Sequence, residues 1–140
     1  MTIFCDTGFY FAILFSKDPD HQRAISILQD IAEKKFGNIF TSDYVYDEVM
    51  TLVNARMKGK RIDLLDKMSS LLISEEPIAK MIKIEKEWLE EIKNIQKKYS
   101  NQKRVLSYTD ASNIYLCKKE RIQKIVSYDK NFEGIIEMIK

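Results

Sequence analysis

The segment MTIFCDTGFY, residues 1–10, places an aspartate directly after an apolar run that is typical of a buried strand. Residues 2–5 fit a short strand, and the apolar run at residues 8–16 fits a helix. Asp6 lies between these two segments, where an unpaired carboxylate would be costly to ionise. One interpretation is a turn or helix cap in which Asp6 accepts hydrogen bonds from backbone amides. The other is a functional carboxylate at the end of a strand.

Length and composition set the broad class. The chain has 140 residues, which predicts a single domain spanning 1–140. The 23 Lys and Arg residues nearly balance the 21 Asp and Glu residues, so net charge alone does not indicate a nucleic-acid-binding protein. Cys5 and Cys117 have no metal-site or disulfide spacing, which favours a reduced, cytoplasmic protein. We expect no signal peptide, no membrane span and no membrane partner.

Strand and helix patterns alternate along the chain. The predicted strands are residues 2–5, 38–41 and 124–128, and the predicted helices are residues 8–16, 20–35, 42–57, 62–72, 78–99 and the segment after Ser107. Residues 71–74 are an alternative strand, and the C-terminal residues 132–140 fit either an edge strand or a short helix. This alternation predicts an α/β fold with a parallel sheet covered on both faces, which binds ligands at the carboxyl ends of its strands.

Three further acidic residues occupy positions that would bring them to that edge. Asp129 follows a β-branched strand, as Asp6 does. Glu48 falls at the edge of the apolar stripe of its helix, whereas Asp47 points away. Asp110 lies in the first turn of a helix, where Ser107-x-x-Asp110 also fits a capping box, so a purely structural role stays open for it.

Carboxylates crowded into one site repel each other unless a cation is present. All-oxygen ligation suits Mg²⁺ or Mn²⁺ rather than zinc, and the single histidine, His21, fits a surface position. Two such ions, about 3.5–4 Å apart, can activate water and stabilise the leaving oxygen of a phosphodiester. The residue types therefore fit phosphodiester hydrolysis.

Four motifs follow one another along nearly the whole chain: FCDTG at residues 4–8, TSDYVYDEV at 41–49, LSYTDAS at 106–112 and VSYDKNFEG at 126–134. Their order resembles that of the PIN domain family. The resemblance assigns the catalytic and metal-ligating roles to Asp6, Glu48, Asp110 and Asp129. Thr7 and Ser127 would support the metal site through its waters, although either hydroxyl also fits a turn.

The resemblance implies a Mg²⁺- or Mn²⁺-dependent endoribonuclease on a three-layer α/β/α sandwich with a mainly parallel sheet. Small members of this family resemble VapC-type toxins, which implies an antitoxin partner and self-association into a homo-oligomer. No second acid follows Asp110 until Glu120, so the number of metal ions stays open. Two alternatives also stay open: a catalytically degenerate module of the same fold that binds RNA or protein, and a nuclease that acts on DNA.

Basic residues near the motifs are candidates for binding the RNA substrate. They are Lys58, Lys60 and Arg61 beyond the Glu48 helix, and Lys103 and Arg104 before the Asp110 motif. Lysines at helix ends are also typical of solvated surface, so the alternative for each group is a structural role. Tyr10, Tyr44, Tyr108 and Tyr128 lie close to the acids in sequence and fit either base stacking or core packing.

Overall fold

Five short parallel strands and six helices make up the protein, as described by a computed structural model that covers residues 1–140. The strands are β1 (Ile3–Cys5), β2 (Ile39–Ser42), β3 (Lys80–Ile82), β4 (Lys124–Val126) and β5 (Glu137–Ile139). The helices are α1 (Thr7–Leu14), α2 (His21–Ala32), α3 (Asp43–Arg56), α4 (Ile62–Ile73), α5 (Leu89–Tyr99) and α6 (Tyr108–Lys119). Two single 3₁₀ turns, Lys86–Trp88 and Lys130–Phe132, precede α5 and β5.

The strand order β3-β2-β1-β4-β5 places β1 at the centre of the sheet. Phe4 of β1 pairs with Phe40 of β2 on one side and with Ile125 of β4 on the other. The chain steps outward from β1 to β2 and β3, then crosses back to β4 and β5 on the opposite side. The topology therefore reverses between β1 and β4, which is where open α/β sheets form their ligand crevice.

Helices cover both faces of this sheet. Right-handed crossovers place α1–α4 on one face and α5 and α6 on the other, because the chain reverses its direction across the sheet after β3. In agreement, α1 packs against α2 and α3, α3 packs against α4, and α5 packs against α6. The predicted three-layer α/β/α sandwich is confirmed, and its sheet is entirely parallel.

The centre of the sheet is the most deeply buried part of the protein. Every residue of β1 is fully buried, as expected for a parallel strand with helices on both faces. On α3 the buried residues Val45, Val49 and Val53 recur every four positions and face this core. Full burial of one such aliphatic side chain contributes about 1.5–3 kcal/mol.

Both ends of α3 are set by local chemistry, which fixes how the helix presents Glu48. At its start, the Ser42 hydroxyl accepts a 3.2 Å hydrogen bond from the Val45 amide, as expected for a helix cap. At its end, Lys58 and Gly59 adopt φ values of +53° and +71°, a left-handed conformation that terminates a helix.

Two sequence predictions are wrong in the middle of the chain. Residues 78–99 do not form one helix, because Lys80–Ile82 pairs with β2 as the edge strand β3 and the helix begins only at Leu89. Residues 71–74 are not a strand, since α4 continues to Ile73. Sheet pairing overrides the helical spacing here, and the Ile84 amide is held by a 3.0 Å hydrogen bond to Asp43. Of the two C-terminal alternatives, the edge strand is correct.

No helix in the structure combines the length and apolar character that crossing a membrane would require.

Candidate active site

Asp6 lies immediately after β1, at the carboxyl edge of the sheet, and its side chain is buried. Its backbone occupies the cap position of α1, but its carboxylate makes no capping hydrogen bond to that helix. Instead, Oδ1 accepts a 2.9 Å bond from Asn113 Nδ2 and Oδ2 accepts a 2.8 Å bond from the Ser127 hydroxyl. The interpretation of Asp6 as a helix cap is therefore wrong, and two distant parts of the chain orient this carboxylate.

Burial raises the pKa of Asp6 from 3.8 to about 7. The hydrogen bond from Ser127 opposes this shift, and the nearby charges of Asp110 and Glu48 add to it. In the absence of a cation, the site therefore disfavours the charged form of this carboxyl group at neutral pH.

Asp110 has a structural role and also faces the same site. Ser107 and Asp110 form a complete capping box: the Ser107 hydroxyl accepts from the Asp110 amide at 3.0 Å, and Asp110 Oδ2 accepts from the Ser107 amide at 3.2 Å. Burial raises the pKa of Asp110, the hydrogen bond from Ser107 opposes this, and the charges of Asp129 and Glu48 raise it further. The cap does not exclude a functional role, because the carboxyl group stays within range of the other acids.

Glu48 and Asp129 complete the group of four. Glu48 is half-buried on α3, whereas its neighbour Asp47 is exposed, as the helical spacing predicts. Asp129 is exposed and lies three residues beyond β4, which ends at Val126 rather than at Tyr128. The Asp129 carboxylate accepts a 2.9 Å hydrogen bond from the Asn131 amide and caps the 3₁₀ turn that follows.

The four acids line one cleft with a volume of about 340 Å³. Its other lining residues are Thr7, Gly8, Phe11, Asp18, Asp20, Leu52, Arg56, Ser127 and Tyr128. The cleft thus carries six carboxyl groups and one guanidinium. The Thr7 hydroxyl is buried in its wall and has no hydrogen-bond partner in the protein.

The donor set of this cleft fits a hard divalent cation, because every candidate ligand is an oxygen atom. The carboxylates are spread over the cleft walls, and no three of them converge on a single point as ligands. His21 is engaged elsewhere, with Nδ1 lying 2.6 Å from the Ala12 carbonyl oxygen. The donor chemistry therefore fits such a cation, while the carboxylates do not form a closed set of ligands.

The basic residues singled out in the sequence lie outside the cleft. Lys58, Lys60 and Arg61 follow α3 on the surface, where Arg61 forms an ion pair with Asp63 at 2.7 Å. Lys103 is exposed in the turn before α6, and Arg104 donates a 2.7 Å hydrogen bond to the Glu133 carbonyl. Their role in RNA binding stays a prediction. Among the tyrosines, Tyr128 lines the cleft, whereas Tyr10 is fully buried in the core.

Sequence reasoning missed three polar residues of the site. Asn113 is fully buried and holds Asp6, and Asn131 lies 3.4 Å from Asp110 through its side-chain amide. Arg56 brings the only basic side chain of the cleft. Helical spacing offered a signal for two of them, since Asn113 follows Asp110 by three residues and Arg56 follows Glu48 by eight.

The acidic oxygen donors thus line an open crevice at the switch point of a parallel sheet, where open α/β folds bind their ligands. Residues 3–136 match the PIN domain model, and the chain belongs to the PIN domain family.

Comparisons with individual proteins agree with this assignment. A VapC ribonuclease of Archaeoglobus fulgidus is 27% identical over 132 residues, covering 94% of this chain and 80% of the relative. The structure of VapC20 from Mycobacterium tuberculosis, described as a sarcin-ricin loop cleaving toxin, superposes with a TM-score of 0.76 at 23% identity, covering 96% of this chain and 97% of that one. A toxin–antitoxin complex from Klebsiella pneumoniae gives a TM-score of 0.58 at 18% identity, with coverages of 100% and 97%. These two structures support the fold alone.

Proposed function

We propose that this protein is a divalent-metal-dependent ribonuclease that hydrolyses RNA phosphodiesters in the acidic cleft. One observation carries the proposal: Asp6, Glu48, Asp110 and Asp129, from four separate segments of the chain, line one cleft where the sheet topology reverses. Like charges in one cleft are unfavourable without a cation, and a bound cation would offset their repulsion. The ribonuclease among the relatives supports the same chemistry.

Asp6, Glu48, Asp110 and Asp129 would hold Mg²⁺ or Mn²⁺. When bound, the cation supplies Lewis-acid stabilisation of phosphoryl oxygens and lowers the pKa of water. Ser127 orients the Asp6 carboxylate and accepts a 3.1 Å hydrogen bond from the Asp129 amide, so it positions two of the proposed ligands. The Thr7 hydroxyl, which has no partner within the protein, would support the site by donating to a water bound there.

We further propose that the ribonuclease acts as the toxin of a toxin–antitoxin pair. The VapC ribonuclease among the relatives supports this class. The charge of the cleft supports a mode of inhibition, because a basic side chain or helix of an antitoxin would complement its six carboxyl groups and block access to them.

Cleavage of labelled RNA and DNA by the purified protein tests the enzymatic proposal. Each reaction contains Mg²⁺, Mn²⁺ or EDTA. The proteins compared are wild type, Asp6→Asn and Asp66→Asn, a control variant at an exposed position. We expect wild type and Asp66→Asn to cut RNA when a divalent cation is present. We expect no cleavage by any protein in EDTA and none by Asp6→Asn under any condition. Preferential cutting of DNA would overturn the substrate class, and full activity of Asp6→Asn would overturn the site.

Induced expression in bacterial cells tests the toxin proposal. We expect wild type to arrest growth and Asp6→Asn to leave it unaffected. If a neighbouring gene encodes a small DNA-binding protein, its co-expression should restore growth. Equal growth of cells that express wild type and variant would contradict the toxin role while leaving the cleavage result intact.

A further inference from the structure

Arg56 is the only basic residue that lines the acidic cleft. It lies on α3 eight residues after Glu48, with Leu52 midway between them, and all three line the cleft. Residues four apart on a helix share a face, so the same face of α3 presents a carboxylate near one end of the cleft and a guanidinium further along it.

The guanidinium of Arg56 is held in place without using its hydrogen-bond donors. Its Cζ atom lies 4.9 Å from the centroid of the Phe11 ring, and Phe11 in turn stacks on Phe15 with centroids 4.2 Å apart. Stacking on an aromatic face leaves the N–H groups at the rim of the guanidinium free.

No acidic partner neutralises this cation inside the protein. None of the six ion pairs involves Arg56, and its side chain donates no hydrogen bond, although the cleft carries six carboxyl groups. The other surface arginine close to α3, Arg61, is by contrast paired with Asp63. Arg56 thus offers five free donors at the wall of a crevice that otherwise repels a polyanion.

We propose that Arg56 binds an RNA backbone phosphate on one side of the scissile phosphate. This proposal rests on the proposed ribonuclease function. A planar guanidinium matches phosphate oxygens with two parallel hydrogen bonds, and such contacts fix the register of a nucleic acid. At 1.5 Å per residue, the Arg56 Cα lies about 12 Å along the helix from that of Glu48. Arg56 therefore meets a phosphate beside the one that the four acids address.

A purely structural role, in which Arg56 only anchors Phe11, makes different predictions from a phosphate contact. A structural anchor would affect thermal stability and would leave the salt dependence of RNA binding unchanged. A phosphate contact contributes to that salt dependence, with a slope of roughly 0.7 per contact on single-stranded nucleic acid.

The test measures fluorescence anisotropy of a labelled single-stranded RNA in Mg²⁺ over a series of KCl concentrations. The protein carries Asp6→Asn to prevent cleavage, and Arg56→Gln, Arg56→Lys and Lys67→Gln are added singly. Lys67 is an exposed lysine of α4 outside the cleft, so Lys67→Gln matches the loss of one charge. Steady-state cleavage by the same three single variants, made in the otherwise wild-type protein, separates KM from kcat.

We expect Arg56→Gln to bind RNA about tenfold more weakly, with a salt slope smaller by roughly 0.7. Arg56→Lys keeps the positive charge and therefore the salt slope, but it loses the paired hydrogen bonds. Its affinity for RNA should lie between that of the Asp6→Asn parent protein and that of Arg56→Gln. In cleavage, Arg56→Gln should raise KM and leave kcat nearly unchanged, as expected for loss of uniform binding.

Two outcomes overturn the proposal in distinguishable ways. If wild type cuts RNA but Arg56→Gln matches Lys67→Gln in affinity, slope and KM, then the phosphate contact is wrong and the ribonuclease proposal stands. If the wild-type protein does not cut RNA and the Asp6→Asn protein does not bind it, the proposed function fails and the role of Arg56 fails with it.

Discussion

The Ser127 hydroxyl donates a 2.8 Å hydrogen bond to Oδ2 of Asp6, although 121 positions separate the two residues in the chain. The same hydroxyl accepts a 3.1 Å bond from the Asp129 amide. Because β1 and β4 are neighbours in the sheet, one serine links the segments that carry two of the proposed metal ligands. The reversal of strand order between β1 and β4 is thus what assembles the acidic cleft.

Replacing Ser127 with alanine should weaken metal-dependent activity. The change removes a partner from a buried carboxylate and from the Asp129 amide, which costs about 1–3 kcal/mol of stability. Loss of the orienting bond should raise the Mn²⁺ concentration for half-maximal cleavage roughly 10–100-fold. Ser112→Ala is a matched control, since Ser112 is equally buried but its hydroxyl bonds only to the Thr109 carbonyl. Equal Mn²⁺ requirements of both variants would contradict the role of Ser127.

The stability of the metal-free protein should fall as pH rises from about 4 to about 7. The pKa of Asp6 is about 7 in the folded protein and 3.8 ordinarily, so between these values the folded state binds more protons than the unfolded state. Stability is therefore lost as pH rises through this window. One pKa unit corresponds to about 1.4 kcal/mol, so the destabilisation above pH 7 is on the order of a few kcal/mol.

Comparison with Asp6→Asn isolates the contribution of this carboxyl group. In urea unfolding with EDTA, wild type and Asp6→Asn should have equal free energies of unfolding near pH 4. Towards pH 7 the free energy of unfolding of Asp6→Asn should increasingly exceed that of wild type. A stability difference that does not vary with pH would refute the assignment of the shift to Asp6.

Adjacent acids on α3 provide a test of the cleft geometry. Glu48→Gln removes a charge from the cleft and should reduce the cleavage rate by roughly two orders of magnitude or more. Asp47→Asn removes the same charge from an exposed position and should leave the rate nearly unchanged. Initial rates on one labelled RNA in Mn²⁺ measure both. Similar losses in both variants would indicate a general electrostatic effect rather than a site.

The two roles of Asp110 can be separated by a pair of substitutions. Asp110→Asn keeps a side-chain oxygen that can accept the Ser107 amide, so the capping box and the thermal stability should be largely preserved while cleavage is lost. Asp110→Ala removes the cap as well and should cost about 1 kcal/mol in addition. Thermal melts and cleavage assays of both variants measure the two effects. Activity retained in Asp110→Asn would limit this residue to its structural role.

Much of the fold could be predicted from the sequence, because β1, α3 and α6 carry local signals. Strands of β-branched and aromatic residues, the Ser42 cap and the Ser107–Asp110 capping box are all local features, and each appears in the structure. The edge strand β3 could not be predicted in this way. Only three residues long, it is stabilised by pairing with β2, whereas its apolar residues also fit helical spacing.

The acidic residues of the site could be predicted from the sequence, whereas only some of the residues that form hydrogen bonds with them could. Asp6 and Asp129 stand out because each follows a strand, which is a local pattern. Asn113, in contrast, holds Asp6 across 107 positions, and no local pattern links the two residues. Arg56 follows Glu48 by eight residues on α3, a spacing that fits one helix face, but other basic residues lie nearby, and the cleft geometry shows that Arg56 rather than Lys58 lines the site.

Binding of Mn²⁺ to the purified protein tests the central claim, that the four acids form a divalent-metal site, most directly. Loss of the free Mn²⁺ electron paramagnetic resonance signal is followed for wild type, Asp6→Asn, Asp129→Asn and the exposed control Asp47→Asn. We predict saturable binding by wild type and Asp47→Asn, and binding weakened at least roughly tenfold in the other two. Equal binding by all four proteins, or none by wild type, would contradict the account.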